Sequence, residues 1–124
     1  MKTKYIAVTG AIFCALAVVF GAFGAHALNN LLTSNGKLET YKTAVIYHIF
    51  HAVSILILSV LNTSIKIENI KLIYWCFVAG LLLFSGSLYA LAISGISKIG
   101  IITPFGGVLF ILAWLLLTYQ LLKK

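Results

Sequence analysis

The chain has 124 residues, a formal net charge of +7 and a mean hydropathy of +1.11; 62% of its residues are hydrophobic and 9% charged. A soluble domain has about half its residues apolar and about a quarter charged, so this chain lacks the polar residues to cover a water-facing surface. Intrinsic disorder needs low hydrophobicity and is excluded too, and two cysteines are too few for a secreted disulfide scaffold.

The charges are nine lysines, Glu39 and Glu68; there is no arginine and no aspartate. They leave uncharged stretches at 5–36, 43–65, 72–97 and 99–122. Each exceeds the roughly 20 residues a helix needs to cross a hydrocarbon core of about 30 Å. The apolar runs are continuous rather than alternating, which argues for helices over barrel strands. The predicted helices are 5–28, 41–62, 71–94 and 104–122. Asn29-Asn30 and Ser34-Asn35-Gly36 break the chain after the first, and Asn62-Thr63-Ser64 after the second. Gly95, Gly100 and Pro104 mark the third connection, with Pro104 suited to a first helical turn. Short connections make consecutive helices antiparallel neighbours. The expected fold is all-α: an integral membrane protein built as an antiparallel bundle of four transmembrane helices, with residues 1–124 forming one domain.

Four spans put both termini on one side, with Lys2, Lys4, Lys66, Lys71, Lys123 and Lys124; Lys37, Lys42 and Lys98 lie on the other. The lysine excess predicts a cell-membrane protein with both termini in the cytoplasm. Tyr5, Tyr74, Trp75 and Tyr119 are expected near the inner interface and Tyr41 near the outer one. Lysines scattered at segment ends form no basic face, so no nucleic-acid partner is expected. Ala25-His26-Ala27 after a basic start imitates a signal cleavage site. The apolar run before it is too long for the usual signal core of about 7–15 residues.

Residues that a lipid-facing helix would not choose gather, by the rise of about 1.5 Å per residue, in the outer half of the bundle. His26, His48, His51, Ser85, Ser87 and Tyr89 form the candidate pocket or polar interhelical cluster. Ionisable residues inside a membrane usually face a bundle interior or a cavity. His48 and His51 are three apart and share a helix face. Gly21, Gly24, Gly86, Gly106 and Gly107 are expected to serve helix packing, because small residues let backbones approach closely in lipid. Ala17, Gly21 and Ala25, and likewise Gly86, Ala90 and Ser94, repeat at intervals of four. Metal or haem ligation by His26, His48 and His51 is disfavoured, since three histidines without a carboxylate at their depth make an incomplete zinc set. Cys14 and Cys76 read as apolar filler. With no aspartate and no paired carboxylates, no catalytic residue, metal or cofactor is assigned.

The motifs FGAFGAHAL at 20–28, Tyr47-His48 to His51-Ala52, FSGSLYAL at 84–91 and TPFGG at 103–107, with Trp114, occur in order over nearly the whole chain. In this set the chain resembles the small bacterial inner-membrane proteins called domain of unknown function 423, related to eukaryotic transmembrane protein 256. The resemblance implies a four-helix integral membrane protein and no established activity. The leading expectation is a non-enzymatic structural or accessory component. It would act through helix contacts with itself, with another membrane protein or with lipid. The alternative is small-solute, ion or cofactor binding or transport through an outward-opening pocket.

Overall fold

A computed structural model describes Met1–Lys124. Four long helices dominate it: α1 (Thr3–Ala27), α3 (Leu38–Ile65), α4 (Ile70–Ser94) and α5 (Thr103–Leu122). A short helix, α2 (Asn29–Ser34), follows α1, and a 3-10 turn at Ser97–Ile101 precedes α5. Each long helix is apolar enough to cross a membrane. Of 100 backbone hydrogen bonds, 85 lie within helices, as a chain without water at its backbone requires.

The predicted spans are recovered, with instructive differences at their ends. The second begins at Leu38 rather than 41, because Glu39 sits in its first turn, where the helix dipole favours an anion. It runs past Asn62 to Ile65, because the breaker side chains turn onto the backbone. Thr63 Oγ1 donates to the Val60 carbonyl at 2.6 Å, and Asn62 Oδ1 accepts from the Ile67 N–H at 2.9 Å. Lys66 and Asn69, both at positive φ, then reverse the chain into α4. Gly95, at φ +74°, ends α4 as a left-handed cap. Two features were not expected: α2, which buries Leu32 completely, and a π-helical stretch at Val19–Gly24 in α1.

The seams run in sequence order, α1 on α3, α3 on α4 and α4 on α5. The inner pair, α3 and α4, is therefore far more buried than α1 and α5. Ile6, Ile55, Leu58, Ile73 and Phe77 form the fully buried centre of the larger core. Leu32, Tyr41, Ala44 and Ala92 do the same for a smaller cluster at the other end. Large apolar side chains cover the outside, with Phe23 70% and Phe105 65% exposed, while alanines, serines and two histidines are buried. That inversion is stable only if hydrocarbon is the surrounding solvent.

Side-chain bonds tie the two ends. At one, Asn62 Nδ2 donates to Thr3 Oγ1 (3.0 Å), and Lys123 Nζ meets Glu68 Oε2 (3.0 Å), so both termini lie at the α3–α4 turn. At the other, Asn35 Nδ2 donates to the Ala92 and Ile93 carbonyls (3.0 and 3.1 Å) near the end of α4. The Lys123 ammonium holds Glu68 below the usual carboxylate range, and Glu68 raises Lys123 in return. The pair's stabilisation persists between those values. It is lost as pH falls through the lowered Glu68 value or rises through the raised Lys123 value. Both groups are exposed, so it is small and salt-sensitive. Tyr41 and Tyr74 are not interfacial anchors: both are buried and bonded inward, to the Phe20 carbonyl and Thr9. Tyr5, Trp75 and Tyr119 are exposed near the termini.

The glycines divide. Gly106 lies directly against the α4 backbone at Leu83 and Phe84, Gly24 against the Tyr41 hydroxyl, and Gly21 near Val45. Gly107 makes only ordinary contact with the Phe84 ring. Gly86 makes no close approach within the chain: nothing lies within 4 Å of the side chain it lacks. Ser85 and Ser87 face the two seams of α4, and Gly86, with exposed Ala90 and Ser94, faces away from both. Gly80 against Phe110 and Gly10 against Leu56 are close approaches that the sequence reading missed. Gly106→Ala is therefore expected to destabilise the protein by about 1–3 kcal/mol through overpacking. Gly86→Ala should stabilise it by up to about 1 kcal/mol through helix propensity. Unfolding of the two variants in mixed detergent micelles checks both signs.

Candidate functional site: a satisfied polar seam beside an open groove

α3 presents its two histidines to different seams. His48 points toward α1 and α4. Its Nε2 lies 2.9 Å from the Phe13 carbonyl and its Nδ1 2.8 Å from the Tyr89 hydroxyl. A carbonyl only accepts, so Nε2 carries the hydrogen and Nδ1 accepts from Tyr89. Phe20 stacks on Tyr89 at 4.7 Å, and Tyr41 donates to the Phe20 carbonyl at 2.5 Å. The π-helical stretch containing Phe20 is thereby tied to α3 and α4 at once.

His51 points toward α5 and adopts the opposite tautomer. Its Nδ1 lies 2.9 Å from the Tyr47 carbonyl and therefore donates. Its Nε2 accepts from Trp114 Nε1–H at 3.2 Å, and an indole can only donate. Phe110 stacks flat on the imidazole, with centroids 3.5 Å apart. The ring has both nitrogens bonded and one face covered.

The serines also separate. Ser85 Oγ donates across to the Ala44 carbonyl at 2.8 Å. Ser87 Oγ pairs with the Phe84 carbonyl at 2.9 Å and with Thr103 Oγ1 at 2.6 Å, closing the α4–α5 seam. Of the six predicted cluster residues, five are buried in the seams, and His26 is exposed after the π-helical stretch. His48 and Tyr89 share one hydrogen bond; His51, Ser85 and Ser87 each take other partners. No three His, Cys, Asp or Glu side chains come together.

Beside His51 an open groove of about 570 Å³ lies between α3 and α5. Ile46 and Phe50 form one wall and Ile111 and Trp114 the other, with Phe84 and Phe110 beneath. Tyr47 borders it with its ring 4.5 Å from Phe84. A second concavity of about 390 Å³ continues along α3 past Val53 to Ile57. Sequence reasoning missed the groove because it forms where α3 and α5 stand apart, bridged by His51 with Phe110 and Trp114. It also missed the Phe13 carbonyl and the Thr103 hydroxyl, which only tertiary placement makes into partners.

The family described as "Protein of unknown function (DUF423)" matches residues 20–107. The chain belongs to this family. A UPF0382 membrane protein of Bacillus subtilis, YwdK, is 39% identical over 121 residues, covering 97% of this chain and 98% of the relative. A UPF0382 membrane protein of Staphylococcus saprophyticus is also 39% identical, over 97% of this chain and 98% of its own. One from Haemophilus influenzae is 40% identical over 100% of this chain and 98% of its own. No solved structure matches. The DUF423 match spans His26, both seam histidines, both serines and Tyr89, while Trp114 lies beyond it. The chain is thus a membrane protein of a family without an assigned function.

Within this DUF423 protein the His48–Tyr89 bond lies between buried groups and has no solvent to replace it. His48→Phe and Tyr89→Phe are each expected to cost about 1–3 kcal/mol, because each leaves a buried partner unpaired. The double variant should cost less than the sum. The coupling should fall near the 0.6–1.7 kcal/mol range of membrane interhelical hydrogen bonds, as about 1 kcal/mol. A double-mutant cycle by detergent unfolding measures it.

Proposed function

We propose that the protein is a non-catalytic structural or accessory component of the cell membrane, acting through its exposed helix faces. The supporting observation is the commitment of both seam histidines. Each ring has both nitrogens engaged by groups of the same chain. A carrier or catalyst needs a donor, acceptor or ligand position left free for its substrate, and these positions are taken. The polar seam then serves to fix how the helices pack, while binding is left to the outer faces. The small-residue stripe of half-buried Gly86 and exposed Ala90 and Ser94 on α4 is of the kind that accepts another helix, from a second copy or from a different membrane protein.

The proposal includes an orientation. The six lysines at the end with both termini, against three at the other, favour termini in the cytoplasm. In a cysteine-free background, Lys98→Cys should react in intact cells with a membrane-impermeant maleimide, and Lys66→Cys only after permeabilisation. The reverse pattern would invert the assignment. For the assembly role, Gly86→Leu with Ala90→Leu should reduce cross-linked complexes in native membranes severalfold and leave detergent unfolding unchanged. A wild-type chain that remains monomeric and unpartnered in those membranes refutes it.

A further inference from the structure

The groove between α3 and α5 has dimensions and walls that select an occupant. The two concavities share Ile46, Phe50 and Trp114 and follow α3 from Ile46 to Ile57. Eleven helical steps make this path about 16 Å long. One leaflet is half of a hydrocarbon core of about 30 Å, so the path matches the depth of a single leaflet. It starts within about 6 Å, measured along the axis, of Lys42, the last charge on α3 before its uncharged stretch. It therefore lies in the leaflet opposite the termini.

The walls argue against a helix as occupant. Helices approach one another in lipid over small residues. Here the rims are Ile46, Phe50, Ile111 and Trp114, and the only small residues along the path are Gly107 and Ser54. A slender, flexible chain can enter between such rims, whereas a cylinder about 10 Å across meets them first. The volume of about 570 Å³ falls in the range of ligand sites, about 300–1,000 Å³.

Tyr47 supplies the polar end. It stands near the start of the path, its carbonyl accepts from His51, and its ring rests on Phe84. Its hydroxyl has no hydrogen-bond partner in the protein, although the residue is 42% exposed on a lipid-facing surface. A hydroxyl in hydrocarbon is costly without an acceptor. The ester carbonyls of glycerophospholipids are the acceptors that a bilayer provides just above their acyl chains.

We propose that this groove is a binding site for one acyl chain of a glycerophospholipid from the leaflet opposite the termini, with the Tyr47 hydroxyl donating to its ester carbonyl. His51 contributes as a positioning residue. Its bonds to the Tyr47 carbonyl and the Trp114 indole hold one wall at a fixed distance from the other. The site goes beyond the structural role proposed above, which would survive its failure.

The test uses the full chain in vesicles of phosphatidylglycerol carrying a photoreactive diazirine on one acyl chain. Cross-links, assigned to single residues, should concentrate on Phe50 and Ile111–Trp114, at least severalfold above those at Phe23 or Leu115, which are similarly or more exposed on other faces. Gly107→Phe should remove that excess by filling the groove. A side chain there begins in ordinary contact with Phe84, so the fold has room for it. Tyr47→Phe should lower the excess about fivefold, the worth of one net hydrogen bond. With an ether-linked probe, which lacks the carbonyl, wild type and Tyr47→Phe should label alike. Unfolding of each variant is measured alongside, and Ile46→Trp, at an exposed rim position, replaces Gly107→Phe if that variant fails to fold. Uniform labelling of all exposed faces, or an excess that survives groove filling, overturns the proposal. So does a groove protected by a second copy of the chain.

Discussion

A polar atom left unpaired in hydrocarbon costs several kcal/mol, and the arrangement of this molecule follows from avoiding that cost. The helices solve the problem for the backbone. The seams solve it for the side chains, by pairing nearly every buried hydroxyl and imidazole with a carbonyl, a phenol or an indole from a neighbouring turn or helix. Ser54 and Ser59 return to their own helix at 2.7 and 2.6 Å, whereas Ser85 and His48 reach across to other helices. The sole buried side-chain oxygen without a partner is Gln120 Oε1, two residues from the end of α5, where the chain leaves the membrane.

The opposite tautomers of His48 and His51 show how one constraint specifies two interfaces. His48 accepts from a phenol and donates to a carbonyl of α1; His51 accepts from an indole and donates to a carbonyl of its own helix. Moving α3 by one residue would present each ring to the wrong kind of partner. The hydrogen bonds therefore set register, while the close approaches at Gly106 on Phe84 and Gly80 on Phe110 set distance. Hydrophobicity sets neither, because lipid tails are as apolar as the core.

The spans were legible because charge is so costly in a membrane that nine lysines and two glutamates delimit four helices unaided. The depth of the polar residues was legible because a helix rises uniformly. Azimuth was not. A linear sequence places Ser85, Gly86 and Ser87 together, yet the structure turns Ser85 to α3, Ser87 to Thr103 and Gly86 outward. His26 failed for a related reason: the π-helical stretch before it changes the turn count, and no residue type announces it. Tyr41 was placed at the interface from its position beside a charged loop. It lies instead beneath α2, a helix too short and too polar to be read from periodicity.

Histidine and tryptophan occupy a seam that phenylalanine could fill by volume. A purely apolar α3–α5 contact would gain little from association in lipid and would slide. The Trp114–His51–Tyr47 chain of bonds has direction, and it holds α5 away from α3 at a fixed spacing. With Phe110 stacked on His51, that spacing props the helices apart over about three turns and leaves the groove. The same bonds that remove the histidines from ligand chemistry thus create the concave lipid-facing surface. In this molecule the buried polar residues shape a site whose own walls are almost wholly apolar.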